Sequence, residues 1–242
     1  MGVNKERTRS DGETPLYTAA AGGHLDVVKY LCELGVDKER ATDGETPLYI
    51  AAAGGHLDVV MYLCEMGVDK ERAPYDFNTP LYISASTGKL GVVKYLCEMG
   101  LDKEWTRRSD GSTPLFIAAA GGHLDVVKYL CEMGVDKDRA SWDGETPLRT
   151  AAAGGHLDVV KYMCEMGVDK EKAPSDGATP LLAATARGHV HVIAFLCTVR
   201  ANVLAADHRS VSVLVLLGTA KFRANKEGRL QDHHDLQKIF EA

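Results

Sequence analysis

Apolar and polar residues follow one another in nearly the same order six times along the 242-residue chain. Each copy contains a Thr-Pro dipeptide, and the intervals between successive dipeptides are 32, 33, 34, 33 and 33 residues. A fixed period of this length is typical of a solenoid, in which one small structural unit is repeated and stacked. The threonines are Thr14, Thr46, Thr79, Thr113, Thr146 and Thr179.

The pattern within the first copy predicts two short helices, which we name helix A and helix B. Thr14 can cap helix A with its hydroxyl, and Pro15 suits the first helical position, where its missing N–H costs nothing. Helix A is predicted over about residues 15–21, and Gly22-Gly23 ends it. Its paired alanines leave little side chain, so neighbouring helices can approach closely.

Helix B is predicted from about residue 25 to residue 34, with Gly35 just past its end. The segment "AGGHLDVVKYLCE", which contains most of this helix, occurs unchanged at residues 21–33 and 120–132. Because one hairpin has too little apolar surface to fold alone, the hairpins must stack on their neighbours. The apolar face of helix B consists of Val27, Val28, Leu31 and Cys32.

The repeated unit "DGETPLYTAAAGGHLDVVKYLCELGVD" resembles the ankyrin repeat. The resemblance rests on the "TPL" motif, the paired alanines, the "GH" pair, the "VV" helix and the terminal glycine followed by aspartate. Six units match this signature between Asp11 and Asp207. The resemblance implies an all-α fold, an ankyrin-like solenoid of stacked helix-turn-helix repeats with projecting hairpin loops.

One position departs from the family pattern in every copy. The residue directly after "TPL" is usually a histidine that ties neighbouring turns together. The departure leaves open how these repeats are hydrogen-bonded to one another. The replacing residues are Tyr17, Tyr49, Tyr82, Phe116, Arg149 and Leu182.

The two ends of the chain are interpreted as incomplete or divergent repeats. Residues 1–10 are the predicted tail of a truncated repeat, and residues 207–242 are a degenerate repeat or C-terminal cap, with a disordered tail as the alternative. Because "MGVNKER" resembles the internal "MGVDKER", we expect Met1 to be an internal methionine of a longer array. The six repeats are predicted at residues 11–42, 43–75, 76–109, 110–142, 143–175 and 176–206.

Charge and composition narrow the classes of function. The chain has 28 Lys and Arg against 34 Asp and Glu, and its net charge of -6 disfavours binding to nucleic acid or anionic membranes. The N-terminal segment lacks the apolar core of a signal peptide, and no apolar run approaches the roughly 18 residues of a membrane span. We therefore expect a cytoplasmic protein with reduced thiols; export without a signal is the alternative.

The six cysteines share one repeat position, which resembles a buried leucine of the family. Stacked helices lie about 8–10 Å apart. That distance is too long for a disulfide, which needs Cα atoms within about 7 Å, or for two thiolates on one zinc ion. We interpret each cysteine as a small buried hydrophobe, with redox sensitivity as the alternative. They are Cys32, Cys64, Cys97, Cys131, Cys164 and Cys197.

Five histidines recur in the loop between the two helices, and we interpret them as loop residues that satisfy backbone carbonyls, as the "GH" pair does in the family. A different cluster, "DHHD" at residues 232–235, contains metal-ligand residue types, but adjacent residues on a helix point about 100° apart, which disfavours a shared metal. We expect no catalytic residue, metal or cofactor. The loop histidines are His24, His56, His123, His156 and His189.

Recognition that is not itself repetitive has to come from positions that vary between copies. The variation is concentrated in the loops before each Thr-Pro, which resemble the fingers that project beside the concave helix A surface in ankyrin proteins. Because Trp, Tyr and Arg are enriched at binding hot spots, their presence in these finger loops favours a binding role. Packing that merely stiffens the fingers is the alternative. The candidate partner-binding residues are Tyr75, Phe77, Trp105, Arg107, Arg108, Trp142 and, in helix A of the fifth repeat, Arg149.

Two further patterns concern the surface. The outward helix A positions are mostly Ala-Gly, with Ser86-Thr87 and Ala186-Arg187 as exceptions, and predict a smooth floor with little side-chain specificity. The second pattern is a charged run, "DKER" or a variant of it. If the runs are extended, acids and bases fall on opposite sides and form two charge ribbons. We favour a lattice of exposed salt bridges, each worth about 0–1 kcal/mol. The runs cover residues 37–40, 69–72, 136–139 and 169–172.

The sequence thus predicts a non-catalytic, monomeric scaffold for protein–protein interaction. It would bind an unidentified partner protein through the hairpin loop tips and the concave helix A surface, without a small-molecule substrate. One alternative is the recognition arm of a larger enzyme or adaptor whose catalytic part is missing. Another is a structural spacer without a defined ligand.

Overall fold

The computed structural model describes residues 13–41, 45–72 and 79–199. The chain forms two compact units, Met1–Ser109 and Asp110–Ala242. Twelve α-helices lie in the described residues, six in each unit. They follow one another as pairs of helix A and helix B, so the predicted helix-turn-helix organisation is confirmed.

The predictions for the two ends of the chain concern residues outside those that the structure describes. They include the truncated repeat at residues 1–10, the degenerate repeat or cap at residues 207–242 and the "DHHD" cluster at residues 232–235. These three interpretations stay predictions.

The helices keep the same bounds relative to the Thr-Pro dipeptide in each repeat, with helix A odd-numbered and helix B even-numbered. In the first unit they are α1 (Pro15–Ala21), α2 (Leu25–Glu33), α3 (Pro47–Gly54), α4 (Leu57–Glu65), α5 (Pro80–Ser86) and α6 (Leu90–Glu98). In the second unit they are α7 (Pro114–Ala120), α8 (Leu124–Glu132), α9 (Pro147–Gly154), α10 (Leu157–Glu165), α11 (Pro180–Arg187) and α12 (Val190–Thr198).

Each helix A begins where the sequence predicts. The threonine before the proline is the N-cap, and its Oγ1 accepts a hydrogen bond from the backbone N–H three residues later. The distance from that backbone nitrogen to the threonine Oγ1 is 3.1 Å in the first repeat, at Thr14, and 3.3 Å in the sixth, at Thr179. The proline occupies the first turn, where no backbone donor is needed. A local motif therefore sets the start of the helix.

The core lies between neighbouring hairpins. Within each unit, helices A pack on helices A and helices B on helices B. The paired alanines Ala51 and Ala52 of α3 are fully buried, as are Val60 and Leu63 of α4. Burying a side chain such as leucine contributes about 1.5–3 kcal/mol, and most of that burial requires the adjacent repeat. Each hairpin therefore depends on its neighbour, as expected of a stacked array.

The histidine of the "GGH" segment joins one repeat to the preceding one. His56 Nε2 lies 3.0 Å from the carbonyl oxygen of Ala21, which accepts the hydrogen bond. The imidazole fills a slot between Gly23 and Gly54, where a Cβ would come within 2.4 Å and 2.6 Å of ring atoms. A side chain at Gly23 would displace the ring, and the φ of +69° there also favours glycine. The position of Gly54 is less strict, because Arg187 occupies the equivalent position next to His189.

The same joint recurs in the second unit. His156 Nε2 lies 2.9 Å from the Ala120 carbonyl oxygen, and His189 Nε2 lies 2.8 Å from that of Ala153. The prediction that these histidines satisfy backbone carbonyls is confirmed for His56, His156 and His189. Because each carbonyl belongs to the preceding repeat, these bonds connect neighbouring repeats. They answer in part the question, open at the sequence level, of how the repeats are hydrogen-bonded to one another.

The cysteines lie in the core or at its margin. Four are buried, which confirms their interpretation as small hydrophobes, whereas Cys164 and Cys197 are only half-buried. Burial raises the pKa of the Cys131 thiol to about 11, and nearby Lys137 partly opposes that shift. Among the described residues, no group of three or more His, Cys, Asp or Glu side chains is placed to hold a metal ion.

The histidine joint can be tested with a double-mutant cycle. We expect Gly122→Ala to destabilise the protein because the new Cβ would lie 2.4 Å from Nδ1 of His156, at a backbone φ of +72°. We expect His156→Ala to cost about 1 kcal/mol by removing the hydrogen bond to Ala120. In the double variant the clash is absent, so that only the backbone strain at Gly122 and the lost hydrogen bond to Ala120 remain. Urea unfolding should therefore show a smaller loss than the sum of the two single losses. Strict additivity would contradict this account of the slot.

The burial of Cys131 predicts a slow thiol reaction. Because its pKa is about 11 rather than 9.0, the thiolate fraction at pH 8 is about 100-fold lower in the folded protein. We expect iodoacetamide at pH 8 to modify Cys131 rapidly in urea and very slowly in buffer, with the sites identified by mass spectrometry. Equal rates for the folded and unfolded protein would contradict the buried position.

Candidate functional site

The structure describes five of the seven candidate partner-binding residues. Trp105, Arg107 and Arg108 lie in the last finger loop of the first unit, and Trp142 and Arg149 lie in the second unit. The other two candidates, Tyr75 and Phe77, fall outside the described residues. The five described residues differ in exposure and in what they contact.

Trp105 is half-buried and packs against a residue of helix A. Its ring lies edge-on to that of Tyr82, with the ring centroids 6.0 Å apart and the planes at 73°. This T-shaped arrangement is one that aromatic pairs prefer. Tyr82 is buried and occupies the position directly after "TPL". The contact favours the alternative interpretation for Trp105, in which the aromatic ring stiffens the finger loop.

Trp142 is exposed, with 67% of its surface accessible. Its backbone N–H donates to the carbonyl oxygen of Asp110, the first residue of the second unit, at 2.8 Å. One edge of the indole lies over Gly111, where a Cβ would come within 2.3 Å of the ring. The finger loop therefore holds the indole in place while leaving most of it accessible.

The finger loop that carries Trp142 is closed by its own hydrogen bonds. The N–H of Ser141 donates to the Glu145 carbonyl oxygen, and the N–H of Gly144 donates to the Ser141 carbonyl oxygen, both at 2.9 Å. Gly144 has a φ of +81°, a conformation that favours glycine. The tip of the loop is thus a tight turn.

Arg149 connects two repeats and has little free surface. Its Nη1 lies 2.5 Å from Oε1 of Glu145, and its Nε–H donates to the Ala178 carbonyl oxygen at 2.9 Å. Only 13% of the arginine side chain is exposed. Ala178 immediately precedes the next Thr-Pro dipeptide. Arg149 therefore supports the groove and the finger loops, and presents few atoms to a partner.

Tyr17 makes an equivalent connection in the first unit. Its hydroxyl donates to Oε2 of Glu45, the residue before the next Thr-Pro dipeptide, at 2.7 Å. Burial, followed by this hydrogen bond, raises the pKa of Tyr17 well above its usual range. The residues that replace the family histidine at positions 17 and 149 thus restore a bond to the following repeat.

Arg107 is half-buried and Arg108 is exposed. Both make interactions within the chain. Their finger loop contains no counterpart to the exposed indole of the second unit, because Trp105 is turned towards Tyr82.

A groove of about 450 Å³ follows the helix A surface of the second unit. It crosses α7, α9 and α11, and its margin includes the Glu145–Arg149 ion pair. Small residues form much of the floor, as the Ala-Gly pattern predicts, and Arg187 belongs to the exception Ala186-Arg187. Arg149 and Thr150 add polar side chains to the lining. The lining residues of most interest are Ala120, Arg149, Ala153, Gly154, Ala186 and Arg187.

Sequence reasoning did not select Glu145, Thr150 or Arg187 as site residues. Arg187 was detectable, since it interrupts the Ala-Gly pattern of the outward helix A positions. Glu145 belongs to a repeated "DGE" turn, so its sequence gives no signal of a special role. Its function in the groove depends on Arg149 four residues later.

The charged runs form turns, so the condition of an extended segment, under which two opposed ribbons would form, is not met. The aspartate that opens each run accepts a hydrogen bond from the N–H two residues later, as Asp37 does from Glu39 at 2.9 Å. Glu39 in turn accepts from the Asp69 N–H at 2.6 Å and pairs with Arg72 at 3.0 Å. These contacts between repeats agree with the favoured salt-bridge lattice.

The helices that the structure describes are all too short and too polar to cross a membrane.

The comparisons with known proteins agree with this architecture. The family model for ankyrin repeats (3 copies) matches residues 1–74, 72–141 and 135–207. Among solved structures, the chain is similar to the crystal structure of the human ASB11 ankyrin repeat domain, with a TM-score of 0.78 and 28% sequence identity. That similarity covers 84% of this chain and 91% of the other. No curated protein matches the chain in sequence.

Because the family matches run without a gap from residue 1 to residue 207 and the helical hairpins have the corresponding structure, this chain belongs to the ankyrin repeat family.

Proposed function

We propose that this protein is a non-catalytic scaffold that binds a partner protein through its finger tips and helix A surface. Ankyrin repeats are in general protein–protein interaction modules. The observation that carries the proposal is Trp142, whose indole is 67% exposed at the tip of a hydrogen-bonded turn. Tryptophan is among the residues that contribute most to binding energy.

The way in which Trp142 is held supports this role. Its backbone N–H is hydrogen-bonded to the Asp110 carbonyl oxygen, and its ring rests on Gly111. A side chain already fixed in place loses little conformational freedom when a partner covers it, so more of the contact energy contributes to affinity. The groove of the second unit begins at Glu145, in the same finger loop. A partner that contacts the indole can therefore continue into the groove.

The other candidates have different roles in the proposal. Arg107 and Arg108 are proposed contact residues of the first unit. Tyr75 and Phe77, in the variable segment one repeat earlier in the sequence, are proposed contact residues as well. Trp105 and Arg149 are proposed to position the surface, because each packs on or bonds to a neighbouring segment.

The two alternatives to the scaffold differ in whether they need this surface. A structural spacer has no use for an exposed, fixed indole, so the accessibility of Trp142 favours a binding role over a spacer. The recognition arm of a larger enzyme or adaptor would use the same surface. We further propose that the protein acts as a monomer in the cytoplasm, with reduced thiols and without a cofactor or small-molecule substrate.

The proposal is tested by affinity capture from the source cell with the wild-type chain and Trp142→Ala. We expect the partner to be lost or weakened by about 2 kcal/mol or more, about thirtyfold in affinity, because the variant removes the exposed indole. Circular dichroism and urea unfolding should show little change, since only one edge of the ring packs on the protein.

Tyr30→Ala is the matched control. Tyr30 is 61% exposed but lies on α2, a helix B. The control should retain the partner at the wild-type level. Equal recovery with the wild type and Trp142→Ala would count against the finger tip as a binding site and favour the spacer.

A further inference from the structure

We infer that the groove of the second unit binds an acidic peptide segment in an extended conformation, with a carboxylate of that segment paired to Arg187. This inference rests on the proposed function and specifies the chemistry of the partner. It requires a groove that a peptide backbone can enter and a cation in that groove without an anionic partner. It also requires that the other repeats, which share the fold, lack this cation.

The floor of the groove allows a backbone to approach closely. Ala120, Ala153 and Ala186 present only a methyl group each, and Gly154 presents none. These residues come from three successive helices A. Because stacked helices lie about 8–10 Å apart and an extended chain rises about 3.3 Å per residue, about six residues of peptide would cross the three helices.

The charges in the groove leave one cation available. The carboxylate of Glu145 is paired with Arg149 at 2.5 Å, so the two charges compensate each other. Arg187 is exposed, and none of the carboxylates in the described part of the chain forms an ion pair with it. These three side chains give the groove a local net charge of +1 (two arginines and one glutamate), in a chain whose net charge is -6.

Arg187 is also an exception among the repeats. It is the last residue of α11, and a cation at a helix C-terminus is favourable, but the other helices A end without one. The equivalent positions hold Gly22, Gly54, Thr87, Gly121 and Gly154.

The chemistry of Arg187 selects the ligand group. A guanidinium has a planar fork of donors that can hold both oxygens of a carboxylate, and such bidentate pairs are stronger than neutral hydrogen bonds. A phosphate would satisfy the same fork. A polyanion such as nucleic acid carries many more charges than one arginine can compensate, and the overall negative charge of the chain would repel it more strongly than a peptide with a single paired carboxylate. An acidic peptide therefore fits better.

The test uses the full chain to select peptides from a phage-displayed library of linear sequences. We expect the wild-type protein to enrich sequences with Asp or Glu at one position. Arg187→Gln should lose that enrichment, and Arg187→Glu should replace it with Lys or Arg. Lys161→Gln is the matched control because it removes one exposed cation from α10, a helix B, and changes the net charge equally. It should behave as the wild type does.

A second measurement isolates the pair. One enriched peptide and its variant with Asn or Gln in place of the acid are synthesised, and their affinities for the wild type and Arg187→Gln are compared. On the wild type, the acidic peptide should bind about tenfold more tightly than its amide variant, and on Arg187→Gln the two peptides should bind with nearly equal affinity. Arg187→Lys, which keeps the charge without the fork, should give an intermediate value.

Several results would overturn the inference. They are an absence of acidic enrichment, recovery of no peptide above background, an equal loss in Lys161→Gln, or a preference for phosphopeptides or single-stranded oligonucleotides over carboxylate peptides in competition. If Trp142→Ala loses the captured partner while the Arg187 variants keep both partner and peptides, only this inference fails. If Arg187→Gln loses the acidic peptides while Trp142→Ala retains the partner, the finger-tip proposal fails instead.

Discussion

The burial of small helix A residues between neighbouring repeats is the constraint on which the rest of this structure depends. Ala51 and Ala52 are fully buried in the first unit, and Ala151 and Ala152 are in the second. Because these side chains are only methyl groups, the helices lie close together, and a larger residue would force them apart. The same close approach brings His56, His156 and His189 within hydrogen-bonding distance of the preceding repeat.

The repeated positions therefore serve the stack, and positions that break the repeat have one of two roles. Some add a connection between repeats, as Arg149 does through Glu145 and the Ala178 carbonyl. Others leave chemistry exposed, as Trp142 and Arg187 do. A connecting residue has a largely buried side chain with bonds to the protein, whereas a residue of the second kind has an exposed side chain. In the second unit the connecting residue Arg149 lines the groove together with Arg187, and its ion-pair partner Glu145 belongs to the finger loop of Trp142.

Local motifs explain why much of the fold could be predicted from the sequence. The threonine cap and the proline mark the start of each helix A, and the predicted helix B of the first repeat differs from α2 by one residue at its end. The charged runs were also predictable in principle, because aspartate commonly bonds the N–H two residues later. The extended form, which was only the condition for charge ribbons, does not agree with that tendency.

The roles of individual site residues depend on contacts between repeats, which sequence reasoning cannot measure. The pair Glu145–Arg149 has the spacing of helix neighbours, but the bond from Arg149 to Ala178 requires the distance to the next repeat. Trp105 and Trp142 are the same residue type in finger loops, yet one packs on Tyr82 and the other faces solvent. Their spacing from the following Thr-Pro differs, which is one sequence signal that separates them.

Hydrogen exchange of the full chain with and without its captured partner tests most directly the claim that recognition belongs to the positions that break the repeat. The account predicts added protection in the amides of residues 141–145 and of α9 and α11, with little change in α8 and α10. Protection concentrated on α8 and α10, or spread evenly over all repeats, would contradict it.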